Sequence, residues 1–388
     1  MKPLNHSWRW IFSTALLVTS IARGQIMLSG NENKVDLTSG GQKIVPNVPP
    51  DSLTLIDFAQ TPPAVTHVMD VPNTVVGPPS NIAISPDGTM ALVANSIKVD
   101  PSSATGQSPE SYIHIVDLTV RPPKVVGKVT AGAQPSGISF TPDGKMALVA
   151  NRAAGTVSVL TVNKLDVRMT QTVKVSEPAE SASDVAISPD GKTALVSIQN
   201  ASHLALLKIE NGNVTATGRK ISVYGKPYRV AITPDGELAV TAGSGFGNAV
   251  DVDALSVIDL KAAVPRAMDY VPVGAVPESL EISPDGKFVA VVVMEGSNLA
   301  ADNPLHTKAG ALVILERNGR TFTLKQKLPT GRIVEGVAFT ADGRFIAVQC
   351  HPDKQIWIYE VTGGQVKDTG QRISTPGMPS SLRASMKK

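Results

Sequence analysis

The phrase "AISPDGTMALVANS", Ala83 to Ser96, returns five times before the chain ends, and this repeat limits what the sequence can fold into more than any other feature. The other copies are "SFTPDGKMALVANR" from Ser139, "AISPDGKTALVSIQ" from Ala186, "AITPDGELAVTAGS" from Ala231, "EISPDGKFVAVVVM" from Glu281 and "AFTADGRFIAVQCH" from Ala338. Each reads as a short apolar run, a Pro-Asp-Gly type turn and a second apolar run. Proline presets φ at the first turn position, aspartate bonds its own backbone, and glycine accepts positive φ. The runs are too short for helices and rich in Val, Ile, Leu and Ala, as strands covered on both faces require.

The turn glycines stand 45 to 57 residues apart, the length of a four-stranded propeller blade. A third strand follows each phrase, as in "TVSVLTV" from Thr156 and "ALSVIDL" from Ala254. A fourth, more polar one comes next, suited to an outer edge that must not pair with another chain. Six phrases leave remainders at both ends. "IMLSGN" from Ile26, "LTLIDF" from Leu53 and "VTHVMDV" from Val65 match strands two to four, and "GMPSSLRAS" from Gly377 resembles the lead-in and first strand of the unit at Gly77. The expectation is an all-β, seven-bladed β-propeller of four-stranded antiparallel blades, closed by N- and C-terminal strands in one shared blade.

Residues 1–24 stand apart from the repeats. Lys2 and Arg9 flank an apolar stretch from Ile11 to Ala22, which reads as a secretory signal cut near Gly24 and leaves 25–388 as a single propeller domain. No later stretch approaches the roughly 20 apolar residues of a spanning helix. The expected location is periplasmic or secreted. Cys350 is the only cysteine, so no internal disulfide can form. Beyond residue 24 the basic and acidic residues balance at 33 each, and a neutral chain has no general attraction for nucleic acid.

"LVAN" at Leu92 to Asn95 and at Leu148 to Asn151, each following the turn and preceding a "VIDL"-like strand, resembles the YVTN-type β-propeller repeat and is similar to the seven-bladed lactonase-like propellers. Later units depart from it, with Ile198, Gly243, Val293 and Cys350 at the position of the asparagine. The resemblance covers the whole repeat region. It implies an exported propeller that binds something, with lactone hydrolysis, dependent on a His, Glu and Arg set in the channel, known for some relatives. A WD-type propeller is disfavoured, since only three tryptophans occur and no Trp-Asp pair ends a strand.

Antiparallel blades sort their loops by face. The strand-one to strand-two turns are nearly uniform, while insertions between strands two and three start at Ser96, Gly243, Met294 and Gly30, all on the other face. Loops on a rigid scaffold and the mouth of a closed β architecture are the default places for binding groups. The two residues before each first strand should ring that mouth, and most are small. Asp184, Tyr228, Arg229, Glu278 and Glu335 are the exceptions, and Glu295 and His351 follow strand two on the same face. They outline an expected ligand pocket, acidic near blades five and six and facing Arg229 and Asp184. Within strand one, a position that is small in five blades is Glu281 in blade five and Arg383 in the closing blade, so both are expected to line the channel and sense each other through it.

The six histidines form no metal-binding pattern, and no cofactor or metal is expected. "GNENKVD" from Gly30 and "DVDALSVID" from Asp251 lack EF-hand spacing. "GSGFGN" from Gly243 precedes no helix, as a phosphate cradle would. No GxSxG elbow occurs. Two readings follow. The first is an exported binding or assembly propeller that presents its variable face to a protein, a glycan or a small molecule. The alternative is a lactonase-like hydrolase, with Glu278, Glu335, His351 and Arg229 as its catalytic candidates.

Overall fold

Each repeat phrase folds as two strands joined at the Pro-Asp-Gly corner, and one hydrogen-bond pattern recurs at every corner. The serine or threonine before the turn donates its hydroxyl to the turn aspartate, as Ser85 does to Asp87 at 2.6 Å, Thr141 to Asp143 at 2.7 Å and Ser188 to Asp190 at 2.6 Å. The same aspartate oxygen accepts the backbone N–H two residues on, at 3.0 Å from Thr89 and 3.1 Å from Lys145. The turn glycine takes φ of 66–74° at all six corners, a region that a side chain would strain. At five of them, in blades 2 to 6, a Cβ would also meet the turn proline of the preceding blade, at 3.3 Å between Gly144 and Pro86 and 3.2 Å between Gly286 and Pro234. The corners of successive blades therefore nest on one another.

The computed structural model describes residues 25–245 and 250–386. The secretory signal expected over 1–24 lies outside the described residues, as does part of the glycine-rich loop after Gly243. Seven four-stranded antiparallel sheets form a β-propeller. Blade 1 runs through Ile82–Ile84, Met90–Val99, Gln107–Asp117 and Lys124–Thr130, and blade 2 through Pro135–Phe140, Met146–Asn151, Thr156–Asn163 and Asp166–Lys174. Blades 3 to 6 repeat this order, with first strands at Ala182–Ile187, Pro227–Ile232, Pro277–Ile282 and Val334–Phe339. Blade 7 takes its first strand, Met378–Ala384, from the C-terminal end and the other three, Ile26–Glu32, Ser52–Asp57 and Ala64–Met69, from the N-terminal end. Met27 pairs with Ala384 and Ser29 with Leu382, and the Ser385 N–H donates to the Ile26 carbonyl at 2.9 Å. Among the described residues no helix is long and apolar enough to cross a membrane.

Stability comes from the layers between blades. Val240, Leu255 and Val257 of blade 4 pack with Leu280, Val291, Val313 and Leu315 of blade 5, all fully buried. Each such side chain contributes about 1.5–3 kcal/mol on removal from water. The outermost strands are polar, and only Val129 is buried in Lys124–Thr130. The insertion after Ser96 is chiefly a longer ladder rather than a loop, because Ile97, Lys98 and Val99 continue pairing with Pro109, Ser108 and Gln107.

Candidate functional site

The two ends of the central channel are built from different parts of the blades. Between them lies a polar waist in which the residues leading into strand one bond across blades. Asp184, fully buried, accepts the Ser80 hydroxyl on one oxygen at 2.7 Å and the Val230 N–H on the other at 3.0 Å, so it ties blades 1, 3 and 4 together. Gly137 of blade 2 lies against it, and a Cβ there would come within 2.1 Å of the Asp184 carboxylate. On the far side Gln349 accepts from Gly336 N–H at 3.0 Å and donates to the Ser381 carbonyl at 2.8 Å.

At the end with variable loops, a cavity of about 270 Å³ is lined by Arg152, Tyr228, Glu278, Met294, Asn298 and Glu335, with the loop 37–42 across its top. That loop belongs to the insertion after Gly30, which forms a small hairpin, Val35–Asp36 against Lys43–Ile44, and packs Val35 on Val75 and Ile97. Tyr228, Glu278 and Glu335 hold equivalent places, each the second residue of strand one, in blades 4, 5 and 6. The Ser197 hydroxyl fixes Tyr228 through its carbonyl at 2.8 Å. Arg152, directly after strand two of blade 2, donates to the Ser183 hydroxyl and to Gln199 Oε1, the latter at 2.7 Å, and its guanidinium carbon is 5.7 Å from the centre of the Tyr228 ring.

The electrostatics of this cavity are unusual. Burial pushes the Glu278 carboxyl up to about 8 against the opposing pull of Arg152. Burial and the charges of Glu278 and Glu32 hold Glu335 well above the ordinary carboxylate range, and Glu335 Oε2 has no hydrogen-bond partner. Burial and the charge of Glu278 raise the Tyr228 phenol, which keeps its proton and remains a donor. Behind the cavity, burial lifts Glu32 to about 8, partly offset by Lys34, and its oxygens accept the N–H groups of Lys34 at 2.9 Å and Val35 at 3.3 Å. His351 is buried and lowered to about 4, hence neutral. Its Nδ1 is 3.0 Å from the Pro379 carbonyl, which can only accept, so Nδ1 carries the proton and Nε2, 4.0 Å from Glu32, is bare.

The expected site residues therefore divide. Tyr228, Glu278 and Glu335 line one cavity. Asp184 belongs to the waist, and Arg229 and the expected counter-face are not opposite the glutamates. Adjacent residues of a strand point to opposite sides, so Arg229 turns away from the cavity of Tyr228 and donates to the Leu280 carbonyl and to Glu281. Glu281 and Arg383 meet Arg229 at the other end of the channel, with Arg383 Nη1 3.6 Å from Glu281 Oε2. Glu295 does not reach the channel either. It lies one residue beyond the channel-facing position, which Met294 fills, and instead accepts from Ala275 N–H at 3.3 Å and from Lys327 Nζ at 2.8 Å.

Sequence reasoning missed Arg152 and Glu32. Both occupy the place of His351, directly after the strand-two residue that pairs with the start of strand one, as the pairing of Asn151 with Pro135, Cys350 with Val334 and Asn31 with Pro379 shows. For Arg152 the signal was present as the last letter of the repeat phrase. Cys350 is no nucleophile at neutral pH, since burial pushes its thiol up to about 12. Among the described residues no three His, Cys, Asp or Glu side chains are grouped to hold a metal ion.

Residues 112–253, which include Arg152 and Tyr228, match the family model described as Lactonase, 7-bladed beta-propeller. A comparison with curated proteins returned no match. Among solved structures the chain is similar to a putative 6-phosphogluconolactonase from Bacteroides fragilis, with 17% identity and a TM-score of 0.69 over 94% of this chain and 99% of that one. It is similar to a periplasmic gluconolactonase from Pseudomonas aeruginosa, with 19% identity and a TM-score of 0.65 over 92% and 98%. It is also similar to hydrazine synthase from Kuenenia stuttgartiensis, with 21% identity and a TM-score of 0.62 over 80% and 90%. Identities this low carry the fold and not the chemistry. In fold the chain is thus a seven-bladed propeller similar to the lactonase-like propellers.

Proposed function

We propose that the protein is a lactone hydrolase whose reaction takes place in the cavity of Arg152, Tyr228, Glu278 and Glu335. The observation that carries this reading is the pair of carboxyls held above their ordinary range beside a guanidinium and a phenol in one cavity. Strongly perturbed carboxyls in a cleft mark candidate acid and base groups. The family match and the gluconolactonase neighbours favour hydrolysis over the binding or assembly role that the sequence placed first.

The roles follow from the charges. Glu335 keeps its proton across neutral pH and acts as the acid, giving it to the ring oxygen as the acyl–oxygen bond breaks. Glu278, ionised as pH approaches 8, takes a proton from water, whose oxygen then bonds to the lactone carbonyl carbon. Negative charge gathers on the carbonyl oxygen, and Arg152 and the Tyr228 hydroxyl supply donors in a site largely shielded from solvent. Neutral His351 and Glu32 sit behind Glu335 and act on its environment rather than on substrate. The exported, periplasmic or secreted location expected from residues 1–24 is part of this proposal.

The test is acid release, followed by pH-stat titration, from glucono-1,5-lactone and a series of aliphatic γ- and δ-lactones. Turnover that Glu278→Gln and Glu335→Gln abolish supports the assignment. Failure of every lactone, or turnover insensitive to both substitutions, refutes it.

A further inference from the structure

The opposite end of the channel, among the uniform Pro-Asp-Gly corners, holds a second cavity of about 450 Å³ that shares no lining residue with the first. Its walls are mainly apolar, with Ile138, Phe140, Ile187, Ile282 and Phe339 beside the hydroxyls of Ser139 and Ser385. At its floor two guanidiniums converge on one carboxylate oxygen. Arg229 donates Nη2 to Glu281 Oε2 and Nε to the Leu280 carbonyl, and its Nη1, on a side chain only 3% exposed, has no partner. Arg383 donates Nε to the Ile82 carbonyl at 3.2 Å, while its Nη1 stands 3.6 Å from the same Glu281 oxygen, too far for a hydrogen bond. A second carboxylate whose charge acts on Arg383, that of Asp184, has both oxygens engaged by Ser80 and Val230. Burial and the neighbouring charge of Arg229 hold Arg383 down, to about 10, although Asp184 and Glu281 oppose the shift. Glu281 and Asp184 balance the two guanidiniums in formal charge, but Arg229 Nη1 and Arg383 Nη1 are left without a hydrogen-bond acceptor beside the chamber.

We propose that this second cavity is a binding site for a small organic carboxylate with an apolar body, its head taken by Arg383 and Arg229 and its tail by the isoleucine and phenylalanine walls. A guanidinium fork matches a carboxylate in geometry and charge. A chamber of this size holds a body on the order of ten carbons. The ligand is a free acid of this kind rather than the polyhydroxylated acid that lactone opening would release, because beyond the ion cluster only Ser139 and Ser385 among the lining side chains carry hydroxyls to meet it. The site is independent of the hydrolase reading.

The test is isothermal titration of the whole protein with sodium decanoate, decanamide and sodium chloride. The expected result is saturable binding of decanoate, at least about tenfold tighter than decanamide, lost by about tenfold or more in Arg383→Gln and unchanged in Glu278→Gln, which alters only the other end. Ala231→Leu, which enlarges a side chain lining the chamber and keeps both arginines, is expected to block decanoate as well, and serves should Arg383→Gln fail to fold. Equal binding of decanoate and decanamide, chloride bound as tightly as decanoate, or decanoate binding untouched by both Arg383→Gln and Ala231→Leu would each overturn the proposal.

Discussion

The two ends of one channel carry opposite chemistry on the same scaffold. At the variable end three glutamates, Glu32, Glu278 and Glu335, are driven toward the protonated state by burial, and the guanidinium of Arg152 opposes the shift only at Glu278. At the uniform end two arginines share Glu281, and it is the cation that is held down. Both ends are drawn from strand one and its lead-in. A step of a few residues along a strand is enough to move from one chemistry to the other, since each blade contributes one side chain to each level. Seven small sheets thus present several rings of side chains, and function depends on the few ring positions that depart from the small residue filling the rest.

Removing the acid or base at the variable end gives the largest expected effect. Glu278→Gln and Glu335→Gln should each lower lactone turnover by roughly 10²- to 10⁴-fold, read as kcat/KM by pH-stat, while the unfolding midpoint holds or rises. The pH profile carries the same assignment. Turnover should climb through about pH 8 as Glu278 loses its proton, and Arg152→Met should move that limb to higher pH because the guanidinium opposes the upward shift. Stability runs the other way. Carboxyls whose folded pKa lies above the unfolded value stabilise the fold at acid pH and lose that contribution as pH rises through the folded value. The urea midpoint should therefore fall between about pH 5 and 8 and flatten in the double glutamine variant. A midpoint independent of pH, or a rate that falls toward pH 8, would break the contrast between the ends.

The waist that separates the ends comes next. Asp184→Ala leaves the buried Ser80 hydroxyl and Val230 N–H without acceptors, for a loss of roughly 2–5 kcal/mol. The same substitution leaves every cavity side chain at the variable end in place. A urea denaturation series checks this, and a change under about 0.5 kcal/mol would mean that water replaces the carboxylate at no cost.

Breaking the ion cluster at the uniform end should cost less. Glu281→Ala leaves Arg229 buried with no anion, but Glu281 and Arg383 are partly open to the cavity, so the full 3–5 kcal/mol of a buried pair is reduced to roughly 1–3 kcal/mol. An unchanged melting temperature, in a calorimetric scan, would show that the cluster is solvated rather than paired.

How far these levels could be read in advance depended on which residues repeat. Turn chemistry and apolar runs repeat in every blade, so the seven-bladed ring, the strand roles and the shared closing blade were legible from residues such as Gly88, Leu53 and Leu382. Site residues are the exceptions to the repeat, and an exception shows its position but not its direction. Tyr228 and Arg229 are neighbours in sequence and read as one rim, yet their side chains leave opposite faces of the strand and line different cavities. Arg152 escaped notice because "LVANR" looks like a finished strand, and Glu32 because blade 7 has no Pro-Asp-Gly phrase to align it. Only the ladder pairs Asn31 with Pro379 and Asn151 with Pro135 put Glu32, Arg152 and His351 in one ring.

Glu295 supplies the smallest effect and the sharpest control on that lesson. It is an acidic residue on the variable face, one place beyond the ring, where it takes φ of 53° and pairs with a half-exposed Lys327. Exposed pairs of this kind are worth up to about 1 kcal/mol, so Glu295→Gln should shift the unfolding free energy by less than that and leave lactone turnover and its pH limb where they are. Met294, its neighbour, faces the cavity. Met294→Glu would add a fourth carboxyl beside Glu278 and should push the rising limb of the rate to higher pH, because like charges disfavour ionisation. If Glu295→Gln disturbed the rate and Met294→Glu did not, the ring would be misplaced by one residue, and the acidic end of the channel would have to be redrawn around the loop that Glu295 now fastens.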